Sequence, residues 1–125
     1  MNLLPVAQQL EDSGLGLLAE TIFINMIPVE CPRGLLLRNP LAGTAIDYEL
    51  PKYYKTTFQL IARSQSYSDG EDLIAQAVTA LTISNKVLGD MSVRYMRPQA
   101  LPVVFPLSKG GLLEFSVTFD VNFVR

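Results

Sequence analysis

The 125-residue sequence contains no histidine. Its absence removes the commonest general base, the Ser-His and Cys-His nucleophile pairs, and the most frequent transition-metal ligand. Cysteine is nearly missing as well. Cys31, in the run Val29-Glu30-Cys31-Pro32, is the only one, so no intrachain disulfide can form and a thiolate metal site has no second sulfur. A lone thiol without a basic partner reads as a small, half-buried apolar loop residue, at ease in a reducing compartment. No Gly-Lys-Ser/Thr occurs, and neither Gly14-Leu15-Gly16 nor Gly110-Gly111 has the spacing of a dinucleotide loop, so both read as turns and caps. No apolar run approaches the ~18 residues of a membrane span. The start Met1-Asn2-Leu3-Leu4-Pro5 lacks the basic and apolar regions of a signal peptide. The expectation is a soluble protein with no membrane partner, and no residue stands out as catalytic, cofactor-binding or metal-ligating.

Charge is also scarce. Charged residues make up 18% of the chain and hydrophobic ones 49%, against a usual charged share of ~25%. So little polar surface predicts that some apolar surface is buried against another chain. Ten Lys and Arg against twelve Asp and Glu leave a net charge of −2, which argues against binding nucleic acid by phosphate neutralisation. The charges are unevenly placed: residues 1–30 carry Glu11, Asp12, Glu20 and Glu30 with no cation, whereas 31–66 carry five cations against Asp47 and Glu49. Carried on different faces, such segments attract each other across copies.

At this length a chain buries roughly two-thirds of its unfolded surface, enough for one core. Asn2, Pro5 in a first turn, the stripe Leu3, Leu4, Ala7 and Leu10, and the stop at Gly14 predict a helix over 3–13. Thr21–Ile27 and Gly34–Arg38 read as two strands of a hairpin turned at Cys31-Pro32-Arg33-Gly34. Residues 39–52, with Pro40, Gly43, Pro51 and the polar insert Asp47-Tyr48-Glu49, read as a long loop or arm. Tyr53–Ser64 alternates as a half-covered strand, Ile61 being the exception. Ser68-Asp69-Gly70-Glu71 matches a capping box for a helix over 69–83, whose early acids suit the helix dipole rather than a metal. Gly89-Asp90 opens a strand through Met91, Val93 and Tyr95 to Pro98; the prolines at 98, 102 and 106 exclude a central strand there. Last comes a strict period of two, with Leu113, Phe115, Val117, Phe119, Val121 and Phe123 against Glu114, Ser116, Thr118, Asp120 and Asn122. These elements predict an α+β two-layer sandwich over residues 1–125, with a mostly antiparallel sheet and two helices on one face.

Arg94, Tyr95 and Arg97 read as charged gatekeepers of an edge strand. Tyr53-Tyr54 is a candidate interface anchor, because tyrosines are enriched at protein contacts. Glu114 and Asp120, six residues apart on one strand face, would lie about 20 Å apart, too far for a shared proton or a glycosidase pair.

The order of these pieces resembles the tail terminator proteins of tailed bacteriophages, also called minor capsid or tail completion proteins. The residues that carry the resemblance are Phe58-Gln59-Leu60-Ile61-Ala62-Arg63, Tyr67-Ser68-Asp69 leading into the helix Leu73–Leu81, the Gly89-Asp90 strand, the Pro-rich segment and the terminal Phe-Val strand. It covers the chain from about residue 3 to the end. It implies a non-enzymatic subunit of a ring, commonly a hexamer, that terminates the tail tube and joins it to the head or neck. DNA would pass through the lumen, and the partners would be the tube protein and a head-completion or neck protein. The location would be the virion, after assembly in the host cytoplasm. Candidate subunit or partner contacts are then Arg38, Tyr48, Tyr53, Tyr54, Val104 and Phe105. Glu114, Asp120 and Asn122 are candidates for a wet or lumen-facing side of the sheet. The alternatives are another head-tail connector or neck protein, or a small ligand-binding α+β module.

Overall fold

The computed structural model describes residues 1–28, 30–40, 43–106 and 111–125. Val29, Leu41, Ala42 and Gly110 therefore lie outside the described residues, and with them parts of the expected loops. Helix α1 spans Leu4–Asp12. Asn2 Oδ1 accepts from the Leu4 amide at 3.0 Å, Pro5 sits in the first turn where no amide is needed, and Gly14 closes the far end at φ 77°. Val6, Ala7 and Leu10 are its buried stripe.

Strands β1 (Ile22–Ile24) and β2 (Gly34–Arg38) lie side by side but run parallel, with Ile22 opposite Leu35 and Ile24 opposite Leu37. This corrects the expected hairpin. The chain leaves β1 through Asn25 at φ 65°, makes a detour and re-enters at the same end. Arg63 pins the detour, its Nη1 donating to the carbonyls of Pro28 at 2.9 Å and Cys31 at 3.3 Å. Gly34 admits the return, since a Cβ there would stand 2.9 Å from the Thr21 carbonyl oxygen. Cys31 is buried, its thiol donating to the Arg33 carbonyl at 3.2 Å.

Strand β3 (Tyr53–Ser64) has the predicted bounds and pairs antiparallel with β2. Helix α2 spans Tyr67–Leu81, so it starts and ends two residues before expectation. Ser66 rather than Ser68 is the cap: its backbone is extended (φ −117°, ψ 135°) and its side chain accepts from the Asp69 amide, whereas Ser68 is already helical. Strand β4 (Ile83–Leu88), not anticipated, follows at once and folds back through the two-residue turn Gly89-Asp90 onto β5 (Met91–Pro98). Strand β6 (Val103–Pro106) is a short edge piece, as its prolines require, and β7 (Leu113–Val124) closes the described chain.

The sheet order is β1-β2-β3-β7-β5-β4, with β6 also on β7. Among the described residues only β1 and β2 pair in parallel, and the fold there is α+β, with two helices and a mostly antiparallel sheet of seven strands. Strand β7 is central. All of β3 lies along one side of it, while β5 and then β6 share the other. The β5–β6 ribbon carries extra residues at Arg94 and again between Pro98 and Val103. Such bulges bend and twist a strand, and the sheet is accordingly curled into a half-barrel.

The core fills the helix-facing side. Even positions of β3 (Phe58, Leu60, Ala62) interleave with odd positions of β7 (Phe115 to Phe123) and with Leu3, Val6, Leu10, Leu73, Ile74, Ala77 and Leu81 from the helices. Phe58 and Phe119 are cross-strand partners with rings stacked at 5.1 Å. Full burial of each such ring contributes ~1.5–3 kcal/mol. Ile61 breaks the alternation because it points to the other side, where it and its neighbour Leu36 are both buried. The second side of the sheet is thus open only in part.

Candidate assembly surfaces

The two helices carry Glu11, Asp12, Asp69, Glu71 and Asp72 and no Lys or Arg, so all ten cations of the chain lie outside them. The helices themselves therefore carry only acids, and six of the ten cations, Arg38, Lys55, Arg63, Lys86, Arg94 and Arg97, stand on strands. The α2 acids have a structural use at Asp69. Its Oδ2 accepts from Arg33 Nε at 2.9 Å and Ser64 Oγ at 2.8 Å, tying the helix start to β2 and β3. The hydrogen bond from Arg33, then that from Ser64, holds the Asp69 carboxyl below the usual carboxylate range.

On the outward side of the sheet, the register sets polar residues in rows. Arg97 lies beside Asp120, which lies beside Thr57; Tyr95, Asn122 and Lys55 form the next row; Thr118, Gln59 and Arg38 form another. Gln59 Nε2 donates to Ser116 Oγ at 2.8 Å and Gln99 Nε2 to Asp120 Oδ1 at 2.7 Å. The Arg97 guanidinium lies 4.2 Å above the Tyr95 ring. Glu114 is engaged by Arg63, whose Nη2 donates to its Oε2 at 3.0 Å. Asn122 is only 4% exposed and donates to the Tyr53 hydroxyl. Glu114, Asp120 and Asn122 therefore share one side of β7, as their spacing requires, but they differ in access: Asp120 is half-exposed, Glu114 is paired and Asn122 is covered.

The tyrosine pair splits across the sheet. Tyr53 lies on the outward side, while Tyr54 stacks on Phe123 at 5.2 Å at the margin of the core. Arg38 is exposed at the end of β2. Val104 is half-buried toward α2 and Phe105 exposed beside Glu114. With Leu101, Val104 borders a hollow of about 440 Å3 that Tyr67, Ile74, Val78 and Phe115 also line.

The arm projects. Its described part, residues 43–52, holds neither helix nor strand. The Thr44 hydroxyl donates to Thr56 Oγ1 at 3.3 Å, and Asp47 turns the chain by accepting from the Glu49 amide at its side chain and the Leu50 amide at its carbonyl. Tyr48 at its tip is 88% exposed, and Ile46 and Leu50 are exposed on either side. Sequence reading selected Tyr48 but passed over Ile46 and Leu50, although the alternation Ile46-Asp47-Tyr48-Glu49-Leu50 was there to see. It also missed β4, whose Val87 is 68% exposed.

Among the described residues no three His, Cys, Asp or Glu side chains gather where they could hold a metal ion. A family model of the bacteriophage tail terminator protein matches residues 9–125, and the chain belongs to that family. No curated protein matches the chain. Among solved structures, a chain from a virion of a native gene transfer agent particle superposes with a TM-score of 0.71 at 14% identity, over 98% of this chain and 95% of that one, which shows a shared fold. The protein is thus a structural component of a phage tail, located in the virion, in a family of structural proteins rather than enzymes.

Proposed function

We propose that copies of this protein form a ring, a hexamer, that terminates the tail tube and joins it to a head-completion or neck protein, with DNA passing through the lumen. The observation that carries this reading is the family match over nearly the whole chain. Exposed apolar groups in a chain so poor in charge support it, since Tyr48, Phe105 and their neighbours face water unless another chain covers them. Residues 1–125 act as one domain in which the helices form one layer and the curled sheet the other, with 39–52 as the arm.

Arg38, Tyr48, Tyr53, Tyr54, Val104 and Phe105 are then contacts to other subunits or to tube and neck. The side of β7 that bears Glu114, Asp120 and Asn122 faces the lumen. DNA passes without sequence-specific grip, consistent with a net charge of −2 for the whole chain. The ring assembles in the host cytoplasm and needs no membrane; no helix among the described residues is long and apolar enough to cross one.

Sedimentation of the purified protein, with electron microscopy of the same sample and of its mixture with tail tubes, tests the reading. A closed ring, or a cap on tube ends, is expected. A protein that stays monomeric through micromolar concentrations and leaves tube ends bare refutes it.

A further inference from the structure

The β1 and β4 edges of the sheet are not alike. The β1 edge is three residues long and already covered in part, since Leu18 bridges to Ile22 and the Ala19 amide donates to the Ile22 carbonyl at 2.9 Å. The β4 edge carries no further strand among the described residues and presents Val87, a large apolar side chain, to water. An unpaired edge with an exposed apolar residue is a surface that another chain can cover. The β4–β5 hairpin is also basic. Lys86, Arg94 and Arg97 stand against Asp90 alone, and Asp90 is held by Arg125 at 3.1 Å. Lys86 donates to the neutral Gln9 Oε1 at 2.9 Å, and none of the three cations joins an ion pair among the described residues.

The arm has the complementary chemistry. Ile46, Tyr48 and Leu50 are exposed at 63%, 88% and 52%, and between them stand Asp47 and Glu49, likewise without an ion pair among the described residues. We propose that the arm of one copy docks on the β4 edge of the next copy, Ile46, Tyr48 and Leu50 covering Val87 while Asp47 and Glu49 meet Lys86 and Arg94. The inference rests on the ring reading and assigns the two patches that meet in it. Because the patches differ, the contact is head-to-tail, the kind that closes into a ring when its rotation divides the circle. Opposite charges also set which surfaces find each other and how fast.

Charge exchange tests it, since all four positions are exposed and substitutions at exposed sites usually change stability little. Reversing the arm (Asp47→Lys with Glu49→Lys) or the edge (Lys86→Glu with Arg94→Glu) is expected to weaken self-association at least about tenfold in sedimentation equilibrium, because like charges then face each other. Placing all four changes in one chain restores attraction at every contact and recovers association. In a Tyr48→Cys, Val87→Cys chain, mild oxidation is expected to give a ladder of chains linked between copies. If wild-type protein forms its oligomer and either reversal leaves the affinity unchanged, or the fourfold variant stays as weak as the halves, or the cysteines link only within one chain, the docking is wrong and the ring stands. If the wild-type protein forms no oligomer, the ring reading itself falls, and this inference with it.

Discussion

Across β3 and β7 one pair of backbones carries two different materials. On the helix side, Phe58 stacks on Phe119 within the apolar core; one residue along, on the outward side, Thr57 lies beside Asp120 and Gln59 beside Thr118. A side chain on the first side stabilises by leaving water and filling space. On the second it does so through hydrogen bonds whose net worth is small, because water offers the same bonds. The comparison explains how a structural protein can keep a stiff interior while leaving an outer face adaptable to partners.

The largest break in that comparison is a cavity. Phe119→Ala on the buried side is expected to cost ~3–5 kcal/mol, whereas Thr118→Ala, its outward neighbour, is expected to stay within ~0.5 kcal/mol. Urea titration followed by circular dichroism reads both, and near-equal losses would show that the two sides are not distinct. Close behind comes overpacking. A Cβ on Gly70 would lie 2.2 Å from a ring carbon of Phe115, so Gly70→Ala is expected to lose ~1–3 kcal/mol although Ala is the better helix former. In a double-mutant cycle with Phe115→Leu, the cost of Gly70→Ala is expected to shrink. An unchanged cost would mean that the helix does not approach β7 as closely as described.

The buried side was largely legible in the sequence because its signal is local. The alternation from Leu113 to Phe123 needs no knowledge of what β7 packs against, and Pro51 with the pattern that follows delimits β3. The α1 stripe is likewise a matter of three- and four-residue spacing. What escaped depends on partners distant in the chain. The direction of β1 against β2 is decided by a detour that Arg63 holds from 32 and 35 residues away. Strand β4 opens Ile83-Ser84-Asn85-Lys86, with no alternation to announce an edge exposed along most of its length. Asn122 looks like any polar residue on a wet face, and it is buried because Tyr53 lies over it from 69 positions earlier. The α2 start was misread by two residues because Ser66-x-x-Asp69 and Ser68-x-x-Glu71 offer the same pattern, and only backbone geometry separates them.

A smaller effect tests where the outward side stops being soft. Arg63 is nearly buried and Glu114 is its acidic partner, with the Pro28 and Cys31 carbonyls completing the guanidinium's bonds. Glu114→Gln keeps the shape and removes the charge, and is expected to cost ~1.5–3 kcal/mol, several times the loss for Asp120→Asn on the same strand face. Equal effects would mean that Arg63 is hydrated and the detour over it loose.

The smallest expected effect joins the two sides at the start of α2. Asp69 has a carboxyl pKa lowered in the folded protein by its bonds from Arg33 and Ser64, relative to an ordinary value of 3.8. A depressed folded pKa means that the unfolded chain takes up the proton first, so the contribution is fully present above the unfolded value and is lost as pH falls through that value toward the folded one. Because the group is open to solvent, the contribution is modest and screened by salt. Asp69→Asn is therefore expected to lower the melting temperature slightly at pH 6. The gap to the wild-type protein should narrow as pH falls through the ordinary carboxyl value of 3.8 toward the lower folded one. A gap that stays constant over that range would assign the loss to the Ser64 and helix-cap geometry instead of the charge, and would leave Arg33 without an electrostatic role in holding the helix to the sheet.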